Sequence, residues 1–96
     1  MAAEGIWDTA SAMLRMDLGL YKPPEQVDAY LAYLISVSVE ALGSKNITLA
    51  PASVMDQHLV SMYAAWLYRK RDGSGAMPEP LSYAIRNRQV SEVTAT

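Results

Sequence analysis

The spacing of apolar residues along the chain predicts four α-helices, separated by segments that contain Pro and Gly. The first helix is predicted from Thr9 to about Leu18, with Asp8 as its N-cap. Gly19 is expected to close it in the left-handed conformation that glycine adopts without strain. Its apolar residues recur every three or four positions and form one stripe: Trp7, Ala10, Leu14 and Leu18.

The second predicted helix is apolar around most of its circumference. It is expected from Pro24 to about Leu42 and ends at Gly43, because proline suits the first helical turn. Its apolar residues are Val27, Tyr30, Leu31, Tyr33, Leu34, Ile35, Val37, Val39, Ala41 and Leu42. The remaining strip is narrow and weakly polar, and consists of Ala29, Ser36 and Glu40. A helix with this pattern lies at the centre of its fold or is covered by another chain.

A long loop, residues 43–52, is predicted between the second and third helices, with a short extended piece at residues 47–49. Ser53 and Asp56 have the spacing of a capping box, in which the serine accepts an amide and the acid reaches back. This pattern opens a third helix that ends at the basic run 69–71. Its expected apolar face consists of Met55, Leu59, Met62, Tyr63, Trp66 and Leu67.

The fourth helix is predicted to start at Pro78 or Pro80, to bury Leu81 and Ile85, and to fade around Val90. Residues 72–75 are expected to form a flexible turn, and residues 91–96 a flexible tail. The predicted fold is therefore all-α, a small bundle of about four helices in a single domain, residues 1–96.

Composition excludes several kinds of chemistry. The 96 residues include no Cys and one His, which excludes disulfide scaffolds, Cys-type zinc sites and thiol nucleophiles. His58 has no second His with which to build a metal shell, so it is expected to be a flanking or partly buried residue. The sequence does not show the paired carboxylates that a glycosidase-type site would use. The carboxylates considered are Asp17, Asp28, Glu40 and Asp56. We therefore expect no enzymatic activity, no catalytic residue, no metal and no cofactor.

The sequence also lacks the usual signals for export, for membrane insertion and for a polybasic nucleic-acid coat. No basic segment precedes an apolar one at the N-terminus, so no signal peptide is expected. The apolar runs are far too short for a membrane span. The net charge is −2, which does not favour a polybasic coat. A soluble, cytoplasmic protein is the expectation from these features.

The one basic concentration lies at residues 69–71, together with Arg86 and Arg88. A small helical DNA-binding regulator would need such a patch, and this remains the alternative function. The run lies at a helix C-terminus, however, where cations complement the helix dipole. Base-reading side chains usually come from the N-terminal part of a recognition helix.

The two long central helices offer more apolar surface than a four-helix bundle of this size can readily hide. Large exposed apolar patches usually mark an interface, and assembly would also stabilise a small core. Amphipathic aromatic residues away from the main stripes strengthen this interpretation, because such residues are enriched at protein contacts. The sequence thus predicts a helical assembly subunit. Its candidate interface residues are Tyr33, Val37, Tyr68, Arg69, Lys70, Arg71, Tyr83, Arg86 and Arg88.

Residues 62–71, with the sequence MYAAWLYRKR, are followed by Met77-Pro78 and by residues 81–88, LSYAIRNR. This segment resembles the head–tail connector (adaptor) proteins of long-tailed bacteriophages, which are also described as phage DNA-packaging proteins. The resemblance covers roughly residues 14 to 92, and its specific part is 62–88.

The resemblance implies a structural phage or prophage protein without catalytic activity. Such proteins are α-helical and assemble as a homo-oligomeric ring below the portal protein at the capsid vertex. The ring extends the DNA channel, so DNA passes through it without sequence-specific binding. It also presents a surface to the next tail-completion or stopper protein. The implied location is the virion, and the bacterial host cytoplasm during assembly, with no contact to a membrane.

Overall fold

The structure, a computed structural model, describes residues 6–71 and 75–94. In these ranges it contains four helices and no strand: α1 (Asp8–Asp17), α2 (Glu25–Gly43), α3 (Val54–Arg69) and α4 (Glu79–Thr94). The prediction of a small all-α bundle is confirmed. The connection between α2 and α3 spans residues 44–53, which is a modest length for the long loop that was predicted.

The ends of α1 show one correct and one wrong prediction. Asp8 is the first helical residue and not the N-cap, because the Trp7 carbonyl accepts the first helical bond, from the Ser11 amide at 3.0 Å. Gly19 closes the helix with a φ of 71°, as predicted. The Gly19 and Leu20 amides donate back to carbonyls of the last turn at 3.1 and 2.8 Å, which is the Schellman arrangement.

α3 is the central helix, since α1, α2 and α4 all pack against it. Leu59, Val60 and Ala64 of α3 are buried in the core. The two small residues Ala64 and Ala65 let neighbouring helices approach closely. The rest of the core comprises Trp7, Ala10, Leu14, Leu31, Leu34, Ile35, Leu42, Ile47, Tyr63, Leu81 and Ile85.

The predicted apolar face of α3 is partly wrong. Met55 was placed in the core, yet it is 81% exposed. Because three helices surround α3, its buried arc is broad and extends away from Met55 to include Asp56, Gln57 and Ser61. The inward-facing polar residues made the true orientation of α3 hard to recognise from hydrophobicity alone.

Asp56 connects the start of α3 to the preceding loop and to α4. Its carboxylate, on a residue 2% exposed, accepts the Ala50 amide at 2.8 Å and pairs with Arg88 Nε at 2.9 Å. The Ser53 hydroxyl accepts the Asp56 amide at 3.2 Å, so half of the predicted capping box forms. In a complete capping box the acid would also accept the serine amide. Here the Ser53 amide donates to the Ala50 carbonyl, and the Asp56 carboxylate pairs with Arg88.

Gln57, the next residue, connects α3 to α1 and to the loop. Its Oε1 accepts the Ala10 amide at 2.8 Å. Its Nε2 donates to the carbonyls of Ile6 at 2.7 Å and Pro51 at 2.8 Å. Buried polar groups are costly unless they are hydrogen-bonded, and Gln57 uses both its acceptor and its donors. Its side chain fixes where α1 begins relative to α3.

α4 continues to Thr94, so the prediction that it fades around Val90 is wrong. Its second half is held by polar contacts that the apolar pattern does not show. Gln89 Nε2 donates to the Lys45 carbonyl at 3.1 Å, and a Glu92 oxygen accepts the Thr48 amide at 3.0 Å. Within the predicted turn and tail, residues 72–74, 95 and 96 lie outside the described residues.

The buried Asp56–Arg88 pair generates a stability prediction. Arg88→Ala leaves the buried Asp56 carboxylate without its cation, and we expect the free energy of unfolding to fall by about 3 kcal/mol. Arg86→Ala, two positions away on an exposed part of α4, is the matched control and should change it by less than about 0.5 kcal/mol. Urea denaturation at low protein concentration measures both, and equal losses would contradict the assigned role of Arg88.

Candidate interaction surfaces

The nine residues predicted as an interface do not form one patch. Arg88 is engaged inside the molecule, with its guanidinium bonded to Asp56, to Glu92 at 2.9 Å and to the Thr48 carbonyl at 2.7 Å. The hydrogen bond to Asp56 raises the pKa of Arg88 above its usual range, although burial opposes this. The expectation that Arg88 pairs with a neighbouring protein is therefore corrected, because its partners belong to its own chain.

Arg69 also has a partner in its own chain. Its guanidinium lies 3.1 Å from the Asp17 carboxylate and donates to the Asp17 carbonyl at 3.2 Å. Both side chains of this pair are more than half exposed, so the pair adds little to stability. It does attach the C-terminus of α3 to the end of α1. With Arg69 and Arg88 both paired, the five predicted cations do not act as a single basic surface.

Lys70 and Arg71 each lie over an aromatic ring of α3. The Lys70 Nζ is 4.3 Å from the centre of the Trp66 ring, and the Arg71 Cζ is 4.0 Å from that of Tyr68. At these distances the ring quadrupole attracts the cation. The rings therefore orient the two cations at the end of α3.

Three tyrosines and Arg71 form a continuous surface feature, which we call the tyrosine–arginine cluster: Tyr30, Tyr33, Tyr68 and Arg71. The Tyr30 ring stacks on Tyr33 with 6.4 Å between centres, and lies 6.2 Å from Tyr68. Tyr33 is 62% exposed. Val37, also a predicted interface residue, follows Tyr33 by one helical turn and is half-buried. Aromatic residues and arginine dominate the energetics of many protein contacts.

The side of α4 that faces away from α3 carries a second surface, the outer stripe: Tyr83, Arg86, Val90 and Val93. These positions recur at intervals of three, four and three residues, which places them on one side of the helix. Tyr83 is 62%, Val90 56% and Val93 73% exposed. The opposite side of α4 carries the buried Leu81 and Ile85. α4 thus has apolar residues on two opposite sides.

An open groove of about 1090 Å³ runs between α1 and α2. Its floor contains the buried Trp7, Leu31 and Ile35. Small residues line its walls, namely Ser11, Ala12, Ala29, Ala32 and Ser36. Its charged residues are Asp8, Glu25, Asp28 and Arg15, of which Arg15 and Asp28 pair at 3.3 Å. We call this feature the α1–α2 groove, and it has an apolar floor with a net acidic margin.

A methionine patch lies where α1 meets the start of α3, and consists of Met13, Met16, Met55 and Met62. Met16 is 80% exposed. His58, expected to be a flanking or partly buried residue, lies at this patch and is exposed, so it is not partly buried. Among residues 6–71 and 75–94, no group of three or more potential ligands could hold a metal ion.

Sequence reasoning missed several residues of these surfaces. Tyr30 was counted among the apolar residues of α2 and not among the interface residues, yet it joins Tyr33 to Tyr68. Val90 and Val93 were assigned to the fading end and the tail of α4. The signal in the sequence was the spacing of the apolar residues between Tyr83 and Val93. This spacing places them on one side of a helix if α4 continues to Val93.

Comparisons with protein families, with curated proteins and with solved structures found no match for the chain. Within the described ranges, no helix is long and apolar enough to cross a lipid bilayer. A functional interpretation therefore depends on the chemistry of these surfaces and on the resemblance carried by residues 62–88.

The Glu92 contact with the loop depends on pH. The Thr48 backbone amide, followed by the Thr48 side chain and Arg88, holds the pKa of Glu92 below its usual value of 4.5. The group therefore stabilises the folded state fully at pH values above 4.5, where the unfolded chain is also ionised. This contribution declines as the pH falls through the lowered pKa of the folded state.

Glu92→Gln is expected to reduce this pH dependence. The stability difference between the original chain and the variant should shrink between about pH 6 and about pH 3, because protonation removes the negative charge that the variant lacks. Denaturant unfolding across this pH range measures it. Glu40→Gln, at an exposed carboxylate without an ion-pair partner in the described part, should leave the pH dependence unchanged. A constant difference for Glu92→Gln would contradict the assignment.

Proposed function

We propose that the chain is a subunit of a phage or prophage head–tail connector, a homo-oligomeric ring below the portal at the capsid vertex. The observation that carries the proposal is the exposure of large apolar side chains on several separate faces of one small bundle. The outer stripe, the tyrosine–arginine cluster and the methionine patch include six such side chains that are more than half exposed. Faces of this kind are typical of proteins that other chains cover.

The resemblance of residues 62–88 supports the same proposal from the sequence. This segment supplies the C-terminal half of α3 and the first part of α4. It therefore contributes Tyr68 and Arg71 to the tyrosine–arginine cluster, and Tyr83 and Arg86 to the outer stripe. The most specific part of the resemblance thus includes these surface residues together with core residues such as Tyr63, Leu81 and Ile85.

The surfaces suit a ring that also binds other vertex proteins. A ring needs two different, complementary patches on each subunit, because each copy contacts its two neighbours through different faces. Further faces are then available for the portal and for a tail-completion protein. In this role the protein needs no cofactor and performs no catalysis, and DNA passes through the ring without sequence readout. Its place is the virion, and the host cytoplasm during assembly.

The arrangement of the cations supports a structural role over base readout. Two of the five, Arg69 and Arg88, pair with carboxylates of the same chain. Lys70 and Arg71 lie over aromatic rings at the C-terminus of α3. A recognition helix would instead direct unpaired side chains from its N-terminal part toward base edges.

The proposal is tested by measuring assembly with and without the portal protein encoded in the same genome. Native mass spectrometry and negative-stain microscopy should show closed rings of the chain, formed alone or on the portal. A chain that stays monomeric at millimolar concentration and does not bind the portal would contradict the proposal.

A pair of tyrosine variants makes the same experiment specific. Tyr33→Ser removes one ring of the tyrosine–arginine cluster, a ring that also lines the α1–α2 groove, and we expect it to weaken assembly or portal binding at least about tenfold. Tyr21→Ser is the matched control, because Tyr21 is 87% exposed but belongs to none of the surfaces described above. Equal effects of the two variants would remove the tyrosine–arginine cluster from the proposal.

A further inference from the structure

We propose that the outer stripe of α4 in one copy docks into the α1–α2 groove of a second copy. This contact is the head-to-tail interface of the ring, so the inference rests on the proposed function and deepens it. It names the two faces of each subunit that meet. The argument comes from the shape of the groove, the spacing along α4, and the charges on both.

α4 has the residue pattern of a helix packed from two sides. Its inner side uses Leu81, Ile85 and Arg88 to hold the helix against its own chain. Its outer stripe places Tyr83 and Val90 seven residues apart, with Arg86 between them. Apolar residues at this spacing are how a helix fills a groove on another protein. The outer stripe is thus available for a second contact without disturbing the first.

The α1–α2 groove has the form that such a helix requires. Ala12 of α1 and Ala29 and Ala32 of α2 are small and exposed, so an incoming helix can approach closely. Below them, Trp7 and Ile35 provide an apolar floor. No described side chain of α3 or α4 lines the groove.

The charges of the two surfaces are complementary. Asp8 and Glu25 in the groove have no ion-pair partner among the described residues, and the groove carries a net charge of −2. Arg86 likewise has no ion-pair partner in the described part of its own chain. Arg86 is the cation of the outer stripe. The one acid on the same side of α4 is Glu79, which lies at the start of the helix. Docking places Arg86 against the acidic margin.

The two surfaces lie on different helices and share no residue. One copy can therefore use its outer stripe and its groove at the same time. A contact between two different patches builds a ring or a filament, whereas a two-fold dimer would need one self-complementary patch. Each copy in a closed ring makes the contact twice, which compensates for the small size of a single stripe.

Two variants that each disable one surface test the inference. Val90→Asp places a charge in the outer stripe, and Ala32→Trp fills the groove. Each protein alone is expected to be monomeric in native mass spectrometry. Their equimolar mixture should give a 1:1 heterodimer and nothing larger, because one intact stripe and one intact groove remain. Tyr21→Asp and Ala52→Trp, at exposed positions outside both surfaces, are the matched controls and should assemble as the original chain does.

A charge exchange provides an independent test. Arg86→Glu and Glu25→Arg should each weaken association at least about tenfold, and the double variant should recover most of the loss. Circular dichroism verifies that every variant is folded. Assembly of Val90→Asp or Ala32→Trp as rings, or a mixture without heterodimer, overturns the inference.

The outcomes separate this inference from the proposed function. If the original chain forms rings that neither surface variant affects, the connector role stands and the named interface is wrong. If the variants lose portal binding but keep self-association, the surfaces belong to the portal contact and the inference is also overturned. If the original chain neither associates nor binds the portal, both proposals fail.

Discussion

The fold depends on two consecutive buried polar residues at the start of α3. Asp56 holds the preceding loop and Arg88 of α4, while Gln57 holds α1 and the residue Pro51. Both side chains are nearly inaccessible to solvent, and all their partners belong to other segments or to the preceding loop. Apolar packing brings the helices together without fixing their register, whereas hydrogen bonds in a low dielectric demand one arrangement. These two residues therefore specify how the other segments surround α3.

This use of buried polar groups determines which surfaces stay exposed. Because Arg88 faces inward to reach Asp56, the outer stripe of α4 must face outward. Because Gln57 sets the start of α1, the position of α1 beside α2 leaves an open groove between them. The surfaces assigned to assembly are in this sense a consequence of the internal hydrogen bonds.

The sequence predicted the helices well, since helix formation depends on local spacing and on Gly and Pro. The end of α1, the bounds of α2, the cap at Ser53 and the left-handed Gly19 follow from nearby residues, whereas the start of α1 does not. The Asp56–Arg88 pair was out of reach, because it joins positions 32 residues apart. The orientation of α3 failed for a related reason, since its buried face includes polar residues whose partners lie far along the chain.

The candidate surfaces were predicted in part. Tyr33 and Tyr68 were chosen as amphipathic aromatic residues away from the main stripes, and Arg71 as part of the basic run; the structure brings them together through Tyr30. Arg88 was chosen for its charge. Hydropathy gives every arginine the same value, so it cannot distinguish Arg88, which faces inward, from the exposed Arg86. Val90 and Val93 were not predicted as surface residues of α4, because the end of α4 depends on polar contacts with the loop.

The attachment of α4 has a consequence for the order in which the molecule opens. Among the residues whose burial is described, α4 contributes only Leu81 and Ile85 to the buried core, and its second half is held by hydrogen bonds of Arg88, Gln89 and Glu92. A segment with few buried apolar contacts exchanges its amide hydrogens through partial unfolding, ahead of the rest of the domain. In an isolated copy α4 would accordingly be the least protected helix. A neighbour that covers its other side would make its unfolding cooperative with dissociation, so the helix would gain its full order only within an assembly.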